Sequence, residues 1–448
     1  MKKRDLLGYG AASFADSGPY NFVMVFLILF LTTVAGISPE KAGTISSITI
    51  LLDGVAGAIL GYVSDNIRSQ MGRRRPFLLA STLPFLIGLI AMFTNFNVGV
   101  AAKTAIYMIA GVLFWVGFSM YYTPYTALGA EVTKDYDERS ILRTYCRYFA
   151  LAGNFLGVVF PLIIVQKLQS LGLSESGGWS VMATIMSILA ITCILVTWRT
   201  TRGKDIPPVK PSQKINLRML VQEYMGIIKL KPFKYIAGIT FLFILANTFY
   251  NSSLVFFARY SLGVDDSITS VIFLISLIAN IVYTPITGRL AVKYDKKNVL
   301  GFCLIISGIA AFAFFIVGIN SFFGLAFYAC LFSIAYSGYW QLYNALVYDL
   351  SEVCEYKTGR RVEGSIASVT GLIFVVGTSV GTQILGWILK FKLYAPAFLL
   401  LPGFFLIAAG IVQLIYPIDK KRFTQLKAAI SEKTAGGDPD ISDLKRII

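Results

Sequence analysis

Apolar runs of membrane-crossing length recur twelve times along this chain, at 9–33, 43–64, 76–95, 101–129, 141–166, 179–199, 233–260, 266–291, 298–318, 321–349, 364–389 and 394–416. A helix needs about 20 residues to cross the roughly 30 Å of hydrocarbon in a bilayer. Backbone N–H and C=O groups find no water there, so an apolar run of this length spans as a helix that satisfies its own hydrogen bonds. With 56% hydrophobic and only 14% charged residues over 448 positions, a soluble chain is excluded. The sequence predicts an all-α, multi-pass membrane protein of twelve transmembrane helices and almost no sheet.

The formal charge of +16 raises the question of nucleic acid, and its placement answers it. Thirty-two of the 40 Lys and Arg fall in alternate connections and the two ends, six fall in the others (Lys41, Lys103, Lys167, Arg259, Lys390, Lys392), and Arg143 and Arg147 lie at or within the fifth run. This bias predicts a cytoplasmic-membrane protein with both termini in the cytoplasm. A nucleic-acid partner needs one basic face, and charges spread over seven segments do not make one. The bilayer and a small molecule are the expected partners, and a monomer suffices.

Histidine is absent, and Cys146, Cys193, Cys303, Cys330 and Cys354 show neither paired nor metal-ligand spacing. No metal site, cofactor or disulfide framework is expected, and any proton chemistry falls to carboxylates. The first run is too long for a signal peptide and lacks a cleavage pattern after it, so it is expected to be retained. No nucleophile, base and acid set is visible, which argues against an enzyme.

The longest polar interruption divides the runs six and six, giving an amino-terminal half 1–199, a cytoplasmic linker 200–232, a carboxy-terminal half 233–416 and a tail 417–448. In the linker Leu217, Leu220, Val221, Tyr224 and Ile228 recur at helical spacing, which predicts an amphipathic helix on the membrane surface. The halves echo each other: Glu131 precedes Arg139 by eight residues after the fourth run, and Glu352 precedes Arg360 by eight after the tenth. Two pseudo-symmetric six-helix halves are the duplicated plan of many secondary carriers.

Ionisable residues inside spans cost about 2.5–3.5 kcal/mol each on insertion scales and are kept for partners or water-filled cavities. Asp16, Asp53 and Arg147 are of this kind, and none has an opposite charge one turn away on its own run, so partners are expected from other helices. Asp16 and Asp53 are candidates to bind a cation or substrate hydroxyls, with Arg147 setting their charge state. Sugar rings stack on aromatics and need paired donors and acceptors, which adds Tyr20, Tyr121, Tyr122, Tyr125, Trp340, Gln341 and Asn344 as candidate substrate contacts. Asp65, Arg73, Arg74, Glu131, Arg139, Asp349, Glu352, Glu355, Arg360 and Arg361 form a candidate cytoplasmic gate whose ion pairs would tune a conformational equilibrium.

These residues resemble the glycoside-pentoside-hexuronide:cation symporters of the major facilitator superfamily, over almost the whole chain. The resemblance is carried by Y-G-A-A-S-F-A-D ending at Asp16, by the D-x-x-x-G-x-x-x-G-x-x-x-D run from Asp53 to Asp65 with G-R-R-R-P-F after it, by C-R-Y-F-A-L-A-G at Arg147, by D-L-S-E-V-C-E-Y-K-T-G-R-R-V-E-G from Asp349, and by Y-P-I-D-K-K-R-F from Tyr416. It implies the major facilitator fold, alternating access, and sugar transport driven by sodium, lithium or protons. It further implies that Asp53 helps bind the coupling cation, that Asp16 and Arg147 contact sugar, and that Trp340 lies beside that site.

The chain departs from the melibiose permease pattern in four places. Gly57 stands where a second acid follows the first, Tyr122 where an acid binds sugar, Thr126 where a tryptophan neighbours it, and Val375 where a lysine is common. Sodium needs several oxygen ligands and usually more than one formal charge, so a proton is the favoured coupling ion. The thinner set of polar groups also keeps an alternative open, a carrier of an amphiphilic or lipid-like solute, uncoupled or coupled.

Overall fold

The computed structural model describes residues 3–67, 69–132, 136–203, 224–358 and 363–434. Among them twelve helices are long and apolar enough to cross a membrane: α1 (Lys3–Val34), α2 (Pro39–Gly61), α3 (Arg75–Met92), α4 (Val100–Gly129), α5 (Ile141–Ser170), α6 (Glu175–Thr200), α7 (Lys231–Tyr260), α8 (Asp266–Tyr294), α9 (Lys296–Val317), α10 (Phe322–Tyr356), α11 (Ser365–Lys390) and α12 (Pro396–Leu414). A thirteenth helix, α13 (Lys420–Thr434), follows. No strand occurs among the described residues, and the chain is an integral multi-pass membrane protein.

Local chemistry sets the helix ends. Ser174 caps α6 by accepting from the Gly177 N–H at 3.1 Å. Gly318 ends α9 at a φ of +81°, a conformation that costs glycine nothing. Asp295, with φ +76°, caps two helices with one carboxylate: its oxygens accept from Lys297 N at 3.1 Å, opening α9, and from Lys420 N at 2.9 Å, opening α13.

Two helices run further than the apolar runs suggest. The tenth helix continues to Thr358, so Asp349, Glu352 and Glu355 are helical rather than in a loop. Buried Leu346, Leu350, Val353 and Cys354 continue its apolar stripe past residue 349 at helical spacing. The fourth helix likewise continues to Val132 and includes Glu131. In the linker, residues 224–229 are helical, while Leu217, Leu220 and Val221 of the predicted amphipathic stretch lie outside the described residues.

Contacts gather the chain into two compact units. One comprises Met1–Gln213, Asn251–Leu274 and Ser379–Tyr394, the other Lys214–Tyr250, Ile275–Thr378 and Ala395–Ile448. In the first unit α1 and α5 cross on glycines, since a Cβ at Gly157 would stand 2.3 Å from the Gly18 carbonyl oxygen and one at Gly153 2.7 Å from that of Phe14. Lipid supplies little hydrophobic drive between helices, so such close packing is what joins them. In the second unit α9 and α12 meet the same way, with a Cβ at Gly308 2.9 Å from the Gly403 carbonyl oxygen.

Candidate functional site

Asp53 lies within α2 and faces α4. The Ser119 hydroxyl donates to its Oδ1 at 2.5 Å and approaches its main-chain oxygen at 3.1 Å. Gly57 and Gly61, one and two turns on, leave the facing surface open: a Cβ at 57 would lie 3.5 Å from Ser119 Oγ and 3.8 Å from Thr123 Oγ1, and one at 61 3.4 Å from Thr123 Cγ2. Carboxylate, Ser119 and Thr123 therefore gather side-chain oxygens on one face with one formal negative charge. The ordinary contacts around position 57 leave space for a side chain there.

Asp16 lies in the first turn of the helical segment Ser13–Leu29, just after a break in α1 at Ala11 and Ala12. The acid there suits the positive end of the helix dipole. The break is held by its neighbours. Tyr121 donates to the Ala12 carbonyl, Ala12 N–H donates to Thr197 Oγ1 at 3.1 Å, and Thr197 donates to the Gly8 carbonyl at 2.7 Å. Tyr9 donates to the Tyr125 carbonyl at 2.8 Å, and the Tyr125 and Ser13 hydroxyls pair at 2.7 Å.

These bonds place two of the candidate tyrosines in the contact between α1 and α4. Tyr121 and Tyr125 are buried, with their hydroxyls bonded to α1, so they fasten α4 to α1. Tyr122, between them in sequence, is 38% exposed, since on the helix it points about 100° from Tyr121 and about 60° from Tyr125. Its ring stacks on Phe118 at 5.5 Å, and Tyr20 packs against both Phe118 (5.8 Å) and Trp115 (5.7 Å), giving an aromatic run across α1 and α4.

The expected charge partners are not there. Asp16 and Arg147 make no ion pair or side-chain hydrogen bond among the described residues, and Asp53 is met by a neutral hydroxyl. Arg147 is exposed on α5, with Arg143 exposed one turn earlier on the same face.

In the second unit Trp340 is 41% exposed and stacks on Phe374 at 5.6 Å. Gln341 is exposed beside Gly288, its Nε2 3.3 Å from where a Cβ there would stand. Asp349 is 2% exposed and bonds Lys296 Nζ at 2.6 Å, with the ammonium 5.0 Å from the Phe423 ring on α13. Glu352 and Glu355 follow it on the same helix, and Arg73 and Arg74 are half-buried between α2 and α3. The side chains of Asp65, Glu131, Arg139 and Asn344, and Arg360 and Arg361 altogether, lie outside the described residues.

The profile of a family described as MFS/sugar transport protein matches residues 8–420. The chain belongs to this family. Among relatives of this sugar-transport family member, "Uncharacterized symporter YnaJ" of Bacillus subtilis (strain 168) is 26% identical over 98% of this chain and 97% of its own length. The "Glucuronide carrier protein homolog" of Escherichia coli (strain K12) is 23% identical over 98% of each chain. The "Isoprimeverose transporter" of Lactiplantibacillus pentosus is 22% identical over 85% of this chain and 79% of its own. Among solved structures, a crystal structure of the peptide transporter POT superposes with a TM-score of 0.70 at 13% identity, over 94% of this chain and 95% of the other. At that identity the likeness shows the major facilitator fold alone.

Four residues of this transporter escaped the sequence reading. Ser119 and Thr123 carry no charge and sit among other small residues of an apolar run, so only their position opposite Asp53 and Gly57 singles them out. Arg143 stands at or within the fifth run, apart from the topology charges, and takes no role from the sequence alone. Lys296 reads as a topology charge, yet it holds the buried Asp349. A period-of-four reading of α4, joining Trp115, Ser119 and Thr123 on one face, is the signal that could have found the first two.

Proposed function

We propose that this protein is a secondary transporter of sugars or glycosides that couples solute movement to a proton through Asp53 and works by alternating access. The observation that carries the reading is the environment of Asp53, a lone carboxylate in a membrane span with a neutral Ser119 donor and a glycine one turn beyond. A sodium ion is best held by several oxygens with more than one formal charge, whereas a proton needs a single carboxylate oxygen. The names of the relatives, a glucuronide carrier homologue and an isoprimeverose transporter among them, support a sugar or glycoside as solute.

Asp16, Tyr122 and the Tyr20–Phe118 aromatics supply what a sugar ring requires, an acceptor for hydroxyls beside apolar faces. Arg147 and Arg143 add donors on α5, and Trp340 and Gln341 offer a second aromatic and amide set. The protein acts as a monomer in the cytoplasmic membrane with both ends inside, without a cofactor, and carries solute and proton together.

Uptake by reconstituted vesicles tests this. An imposed proton gradient should drive accumulation of a member of a glycoside panel, and Asp53→Asn should abolish the driven component while exchange persists. Accumulation that follows sodium at fixed pH would overturn proton coupling, and stabilisation of the protein only by amphiphiles would overturn the sugar reading.

A further inference from the structure

A small, partly open space lies between α1, α2, α4 and α11, within the first unit. Met24 and Leu27 of α1, Ser46 and Ile50 of α2, Trp115 of α4 and Thr382 of α11 line it, and no lining residue is ionisable. It leaves about 10 Å³ for the centre of a water-sized molecule, close to what one water needs. Of its lining residues, two carry a polar atom that finds no hydrogen-bond partner among the described residues: Ser46 Oγ and Trp115 Nε1. Ser46 is 3% exposed and Trp115 1%. Buried polar groups in proteins are hydrogen-bonded as a rule, to protein or to ordered water, and here Trp179 and Trp198 Nε1 also lack a partner among the described residues, away from this space. The contrast with its neighbours is direct, since Thr49 donates to the Ile45 carbonyl and Thr382 to that of Ser379.

The position of this space relative to Asp53 gives it a role. Ser46 precedes Asp53 by two turns on α2, and Trp115 precedes its partner Ser119 by one turn on α4. Both pairs therefore lie along the same two helices, with Ser119 roughly 6 Å beyond Trp115 by helical rise. Two hydrogen-bonded waters span such a gap. The space sits toward the connection between α1 and α2, the side away from the amino terminus and, on the charge distribution, the outer one.

We propose that Ser46 and Trp115 hold a water that relays protons between the outer side and Asp53. In the relay each water accepts a proton from its outer neighbour and passes one inward, so that hydronium outside is the source and the Asp53 carboxylate the acceptor. Ser46 and Trp115 position the water and keep their own protons. The inference rests on the proton-coupled reading above and adds the route.

X-ray footprinting and transport by the full chain in vesicles test it together. Bound internal water yields hydroxyl radicals on irradiation, so prompt labelling is expected at Trp115 and Met24, and Ser46→Leu should suppress it. Ser46→Ala and Trp115→Phe should lower the ratio of proton-driven uptake to exchange several-fold. Ser46→Ala removes one atom and keeps the test open should the tryptophan variant misfold. Absence of labelling in the native protein overturns the water site. Labelling with an unchanged ratio in Ser46→Ala overturns the relay, as does a matched loss of driven uptake and exchange, which would mark a solute contact. Failure of the native protein to use a proton gradient at all sinks the underlying reading instead, and the relay with it.

Discussion

Placing a second carboxylate beside the first is the sharpest test of why this site suits a proton. Gly57→Asp puts that carboxylate one turn from Asp53, where a Cβ meets only Ser119 Oγ at 3.5 Å and Thr123 Oγ1 at 3.8 Å. Neither distance forces a neighbour to move, and helix propensity favours Asp over Gly by a few tenths of a kcal/mol. Cβ atoms at i and i+4 lie about 5–6 Å apart, and carboxylates held at about that separation repel by roughly 3 kcal/mol at an effective dielectric constant of about 20. A cation held between them removes that repulsion. At about 1.4 kcal/mol per tenfold, the variant should bind sodium about a hundredfold more tightly than the native protein. Sodium-dependent protection against thermal unfolding in detergent, and sodium-driven uptake at fixed pH, measure the change. A folded Gly57→Asp protein that stays indifferent to sodium would refute the reasoning, because charge at this place would then not select the ion.

Three further outcomes follow from contacts in the structure. Lys296→Met leaves the buried Asp349 carboxylate without its cation and should cost about 3–5 kcal/mol, read as a lowered unfolding temperature, with much of the loss recovered in Lys296→Met/Asp349→Asn. Tyr121→Phe, which loses the hydroxyl on the Ala12 carbonyl, should reduce stability by about 1 kcal/mol with solute affinity unchanged, whereas Tyr122→Ala should weaken solute binding with little change in stability; isothermal titration and thermal unfolding of both variants separate the two. Gly157→Ala sets a methyl against the Gly18 carbonyl and should destabilise by about 1–3 kcal/mol, seen as loss of monodisperse protein on size exclusion, and an undisturbed elution profile would count against the close α1–α5 crossing.

Much of the architecture was legible in the chain because a bilayer leaves few choices. Each of the twelve apolar runs meets a described spanning helix, with ends shifted by several residues where capping or a continuing apolar stripe decides. The acids were legible for the same reason, since charge in a span is costly and stands out. Asp53 was visible as a lone carboxylate, and Gly57 as a missing second one. Tyr121, Tyr122 and Tyr125 show the limit. In sequence they form one cluster of phenols, yet helical rotation sends two into the α1 contact and leaves the middle one exposed.

By itself, then, the sequence determined that this chain folds as helices in a membrane, which family it resembles, and which acids stand inside spans, because those follow from hydropathy, length and the cost of charge along one dimension. Tertiary structure alone decided that Asp53 meets Ser119, that Asp349 is held by Lys296, that Asp16 and Arg147 stay unpaired among the described residues, and that Ser46 and Trp115 share a small cavity. Each depends on the azimuth and depth at which one helix meets another. Those are set by small-residue packing between segments far apart in the chain, where hydrophobicity gives no register.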